Sequence, residues 1–146
     1  LRAKATGDNV AVADIRRQVS DSLVEINLQK LERHAFQIAW LVDQSIGKLM
    51  MGIMDDEVTG YMHKMHWVAK DISKRLVGTK FAHISELCES IIQVSGTIVT
   101  SRSNFSPKDV QLLGPLSKVI KNSFDPNMDQ AAVASDIAVI VSAANT

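Results

Sequence analysis

Four histidines, one cysteine and six methionines carry most of the chemistry this chain could perform. His63 and His66 stand three residues apart, one helical turn, and could converge on a metal ion. His83, with Glu86 three residues on, offers a second pair, and Asp71 or His34 could complete a set. A carboxylate-rich metal site in a helix bundle repeats Glu-x-x-His on facing helices. Here no Glu-x-x-His occurs and His-x-x-Glu occurs once, so the histidines are expected on solvated helix flanks. Met50, Met51, Met54, Met62 and Met65 cluster in sequence and could offer thioethers to Cu(I). Only Met62 and Met65 fall on an apolar stripe, and methionine is also a common core filler. No cofactor is expected. A metal-, haem- or small-ligand-binding sensor domain is the alternative, with His63, His66, His83 and Glu86 as its metal residues.

Covalent catalysis finds no support. Cys88 lies on an apolar helix seam, whereas a nucleophilic thiol needs an exposed, electropositive setting and a base. Neither a strand-to-helix nucleophile elbow nor a glycine-rich phosphate cradle is present. The acids at Asp55 and Asp56 suit the start of a helix better than acid–base work. The chain is expected to be non-enzymatic.

A different chemistry is written between Tyr61 and Lys80. Lys64, Lys70, Lys74, Arg75 and Lys80 stand there against Asp71 alone, with Trp67 among them. Such a helix could touch phosphates while its indole stacks, so anion or nucleic-acid binding through residues 61–80 is a further alternative. No helix-turn-helix accompanies it, and nucleic acid is not the expected partner. At roughly 100° per residue, Trp67 falls opposite the apolar stripe of its helix, beside His63, Lys70 and Lys74. A large aromatic off the core face is either covered by another helix of the same domain or used by a partner. Trp67, His63, Lys70 and Lys74 are therefore one candidate contact surface. Phe36, Trp40 and Leu41 are a second.

The elements that position these residues read as helices throughout. The first is predicted from about Asp8 to Met54, capped by Asp8 or Asn9, with Val12, Ile15 and Val19 opening its stripe. Leu28, Leu31, Ala35, Ile38, Val42, Ser45 and Leu49 then repeat in threes and fours. Phe36, Ala39, Trp40 and Leu41 widen that face, which suits a central helix, and Gly52 marks a fray, kink or break. A second helix carries Val58, Met62, Met65, Ala69, Ile72 and Leu76, with Gly78 after its end. Thr79 can cap a third, whose core face is Phe81, Ile84, Cys88, Ile91, Ser95 and Ile98. Ser106-Pro107-Lys108-Asp109 is a strong start signal for a fourth, and Gly114-Pro115 predicts a kink or restart in it. Asp125-Pro126 predicts the start of an Ala-rich fifth helix. Its Ala131, Ser135, Ala138 and Ser142 suggest close internal packing, or else a subunit contact.

Composition bounds the rest. A length of 146 residues with 46% hydrophobic side chains suits one helical domain across 1–146, a bundle of about five helices with a long central first helix. Sixteen bases balance sixteen acids, which argues against a surface made to wrap a polyanion. A lone Cys excludes an internal disulfide framework and fits a reducing compartment, so a cytoplasmic location is expected. Neither Ala35–Val42 nor Ala131–Ala144 suits a membrane span. The opening at Leu1 shows no signal-peptide pattern, and the chain reads as excised from a longer protein. The expected function is a protein–protein interaction, oligomerisation or signalling module, its partner another protein or a second copy in a dimer.

Overall fold

The computed structural model describes residues 28–76 and 81–145. Contacts divide the chain into two compact units, Leu1–Lys30 and Leu31–Thr146, and the architecture below is that of the second. The caps expected at Asp8 or Asn9, the stripe from Val12 to Val19, and Gly78 and Thr79 lie outside the described residues. The expectation of one domain over 1–146 also reaches into them.

The described residues form five α-helices and one 3₁₀ turn, with no strand among them, so the fold is all-α. Helix α1 occupies 28–50, α2 Asp56–Leu76, α3 Ala82–Ser101, α4 Pro107–Ser123 and α5 Gln130–Ala144, and the 3₁₀ turn Arg102–Asn104 joins α3 to α4. No helix among the described residues is long and apolar enough to cross a membrane.

Spacing explains what each helix buries. In α1, Leu31, Ala35, Ile38, Val42, Ser45 and Leu49 are all buried, as their repeat predicts. Val58, Met62, Met65, Ala69, Ile72 and Leu76 do the same in α2, and Ile84, Cys88, Ile91, Ser95 and Ile98 in α3. The serines on these seams satisfy their hydroxyls within their own helices. Ser45 Oγ donates to the Leu41 carbonyl at 2.7 Å and Ser95 Oγ to that of Ile92 at 3.2 Å. Small polar residues can thus sit in an apolar seam without a buried orphan.

Helix α1 stops earlier than the expected Met54. Gly52 adopts a φ of 76°, a left-handed conformation that side chains resist, and two backbone bonds close the end. Gly52 N–H donates to the Leu49 carbonyl at 3.0 Å and Ile53 N–H to that of Lys48 at 2.9 Å, a Schellman arrangement. Asp55 then caps α2, its Oδ1 accepting from Val58 N–H at 2.8 Å, with Asp56 and Glu57 in the first turn. Its other oxygen accepts from Lys48 Nζ at 2.7 Å and ties the two helix ends together.

Pairs between helices give the topology. His34 with Asp71, Trp40 with Tyr61 and Lys48 with Asp55 run α1 antiparallel to α2. Ser73 meets Ser85, and Gly96 lies beside His66, so α2 and α3 are antiparallel. Phe81, before α3, contacts Phe124, after α4, at 6.4 Å between ring centroids. Lys121 lies over the ring of Phe36, returning α4 to α1. These four helices close an up-down-up-down ring. Helix α5 packs against α3 and α4, held at its start by Gln130, which bridges His83 and the Ser123 carbonyl.

Two expectations for α5 are overturned, and of the kink or restart expected at Gly114-Pro115 the restart does not occur. Helix α4 runs unbroken through Pro115, with no restart. Proline cannot bond to the carbonyl four residues back, but Gln111 and Pro115 are both exposed, so the unpaired carbonyl lies on the solvent side. Helix α5 begins at Gln130, not after Asp125. Asp129 is its cap, accepting from Ala131 N–H at 3.2 Å, while Asp125 closes a turn by accepting from Asn127 N–H at 2.9 Å. The small residues Ala131, Ser135, Ala138 and Ser142 are all exposed, because α5 buries only Val133, Ile137 and Ile140. They are not the tight internal packing their spacing suggested.

Candidate protein-docking face

The outer side of α2 is set by the residues on its inner side. With Met65 at the core, Trp67 lies roughly 200° around the helix, and it is 71% exposed. His63, Lys64, Lys70 and Lys74 are exposed on the same half of the helix. Among the described residues, no other helix covers Trp67. The amines flank the indole three residues before it and three and seven residues after it. Among the described residues, none of the three lysines forms an ion pair, and the acids of this helix face pair with other groups. Asp71 accepts from Arg75 Nε at 3.0 Å and lies 3.4 Å from His34 Nδ1. Glu57 accepts from Tyr61 Oη at 3.1 Å and lies 3.8 Å from Lys48 Nζ.

The second candidate surface splits. Phe36 and Trp40 are 44% and 53% exposed on the outer side of α1. Trp40 stands edge-on to Tyr61, centroids 5.9 Å apart and planes at 79°, while Lys121 Nζ sits 5.8 Å from the Phe36 centroid. Leu41 is fully buried and is corrected from contact residue to core residue. It lies next to Trp40 in sequence, but a step of roughly 100° carries it inward beside Ile38. Helix α1 is thus buried on one side and bears aromatics on the other. Trp40 reaches α2 at Tyr61, six residues and about 9 Å along the helix from Trp67.

The proposed metal set does not assemble. His63 and His66 line one depression of about 250 Å³ between α2 and α3, with Ser95, Gly96, Val99 and Thr100. His83 lies thirteen residues from Gly96, about 20 Å along α3, and its Nε2 is 2.8 Å from Gln130 Oε1. Glu86 is on that distant turn as well. The antiparallel register of α2 and α3 keeps the two pairs apart, and no group of three or more His, Cys, Asp and Glu suited to a metal occurs among the described residues. Of the methionines, Met62 and Met65 are fully buried, while Met50 and Met51 are 74% and 76% exposed. Cys88 is buried, and desolvation pushes its thiol up to about 12, which removes the thiolate at neutral pH.

Lys64 belongs to the Trp67 face but was read from sequence only as part of the charge excess. Its place three residues before Trp67 was the available signal. Arg102 carried no such signal: it holds a φ of 51°, and its N–H closes α3 on the Val99 carbonyl. No family model matches the chain, and no curated protein or solved structure matches it.

Proposed function

We propose that this chain is a non-enzymatic helical module that binds another protein through the outer faces of α2 and α1. One observation carries the reading: Trp67 leaves 71% of its surface in water while the other side of α2 is packed shut. Tryptophan is enriched among residues that dominate binding energy, because a large rigid ring gives up little freedom when it is covered. Phe36 and Trp40 extend the apolar surface onto the neighbouring helix. The partner is a second protein or another copy of the chain, and a signalling role would follow from regulated docking.

Light scattering and native mass spectrometry of the untreated protein test the proposal, alone and with candidate partners. Trp67→Ala is expected to weaken association about thirtyfold while leaving the melting of the monomer unchanged. A well-folded monomer that binds no protein and is indifferent to that change would remove the proposal. A second reading, anion or nucleic-acid binding through α2, is favoured by the three lysines that lack ion pairs. Its mark is an affinity that falls steeply with salt.

A further inference from the structure

We infer that the Trp67 face of α2 takes an acidic amphipathic helix of a second protein, seating an apolar side chain against the indole and carboxylates against Lys64, Lys70 and Lys74. This inference rests on the docking reading above and names the partner's chemistry. The chain has no net charge, yet this face presents three amines that form no ion pair among the described residues, around one exposed ring. A partner with Glu or Asp at helical spacing would meet amines separated by six and four residues, as a helix laid along α2 presents them. Gly60, exposed on the N-terminal side of His63, has nothing within 4 Å of where a Cβ would stand, so a neighbouring backbone can come close there.

Charge also weighs against self-association through this face. A twofold axis would set each lysine cluster against its own copy, and like charges opposed in an interface weaken it. Other anionic partners fit this face less well. Three amines on one convex helix neutralise about three phosphates, too few for tight duplex binding at physiological salt. A membrane surface would receive only Trp67 from α2, since the rest of the apolar side of that helix is committed to the bundle core.

The test is a random helical-peptide display on the full chain, followed by anisotropy measurements with labelled peptides. Enriched peptides are expected to carry Glu or Asp three or four residues to either side of a Leu, Phe or Trp. Their affinity should fall about thirtyfold with Trp67→Ala and about threefold with each of Lys70→Gln and Lys74→Gln, and should weaken as salt rises. Circular dichroism checks each variant, with Trp67→Gln in place of any Trp67→Ala that misfolds. Enriched peptides that need Trp67 but are neutral or basic would overturn the acidic partner and leave the docking reading standing. Enrichment with no dependence on Trp67 would overturn both. Tighter Trp67-dependent binding of a DNA duplex or of phosphatidylserine vesicles would transfer the face to nucleic acid or membrane and also overturn the inference.

Discussion

An indole left in water forgoes about 2 kcal/mol of apolar burial, and Trp67 forgoes most of that. Removing it should leave monomer stability within about 0.5 kcal/mol by urea unfolding, since surface substitutions away from packing seldom exceed that. Cys88 behaves oppositely. Its native thiol is expected to resist alkylation at neutral pH and to react once the chain is unfolded. Burial raises its folded value from 9.0 to about 12, so stability from this group is complete below about 9 and is lost as pH rises towards 12. The Lys48–Asp55 pair adds a dependence at each end of the scale. Hydrogen bonds from Lys48 and from Val58 N–H lower the Asp55 value, so its contribution is present above the ordinary carboxylate range and is lost on acidification through the lowered value. Lys48 is raised by the same bond, so its contribution is full below the ordinary lysine value and is lost as pH climbs from there through the raised value. Asp55→Asn should therefore flatten the acid limb of a stability profile. Trp67 and Cys88 were legible from angle alone, because each lies far to one side of its helix. Leu41 was not, since the apolar run around it hid which neighbours turn outward.

At the scale of elements, caps decided what the sequence made readable. Ser106 accepts from Lys108 N–H at 3.2 Å where Ser-Pro-x-Asp predicted a start, and Ser106→Ala should cost about 1 kcal/mol in urea unfolding. Asp125-Pro126 offered the same letters and yielded a turn, because the competing cap at Asp129 lay four residues on. A local signal cannot rank two caps that tertiary contacts separate, and here Gln130 is held by His83 and Ser123. Pro115 is the converse case. Proline, the poorest helix former, is carried there by packing on either side, with Leu113, Leu116 and Ser117 all buried. Pro115→Ala should accordingly raise stability by about 1 kcal/mol or more, read as a shift in the urea midpoint. Gly52→Ala should lower it by about 1 kcal/mol, because its φ of 76° suits no side chain.

For the molecule as a whole, the ring of α1 to α4 explains why fold class was plain and the candidate site only half so. Periodicity reports which side of a helix is apolar, and in α1, α2 and α3 that side is the core. It does not report which helices are neighbours. The metal set of His63, His66, His83 and Glu86 failed for that reason, and so did the packing assigned to Ala131 and Ser135. Truncation at the centre of the ring, Ile38→Ala or Met65→Ala, should cost about 2–5 kcal/mol by the same unfolding measurement. Helix α5 stands apart from this. It buries three side chains and leaves Val139 73% exposed, so little of its apolar surface holds it in place. Its amides should consequently trade hydrogen for deuterium through a partial opening that leaves the ring intact, well before those of α2 and α3. The four-helix ring would then be one cooperative unit and α5 another, joined by the three buried side chains of α5 and by Gln130, which clasps the start of α3 and the end of α4.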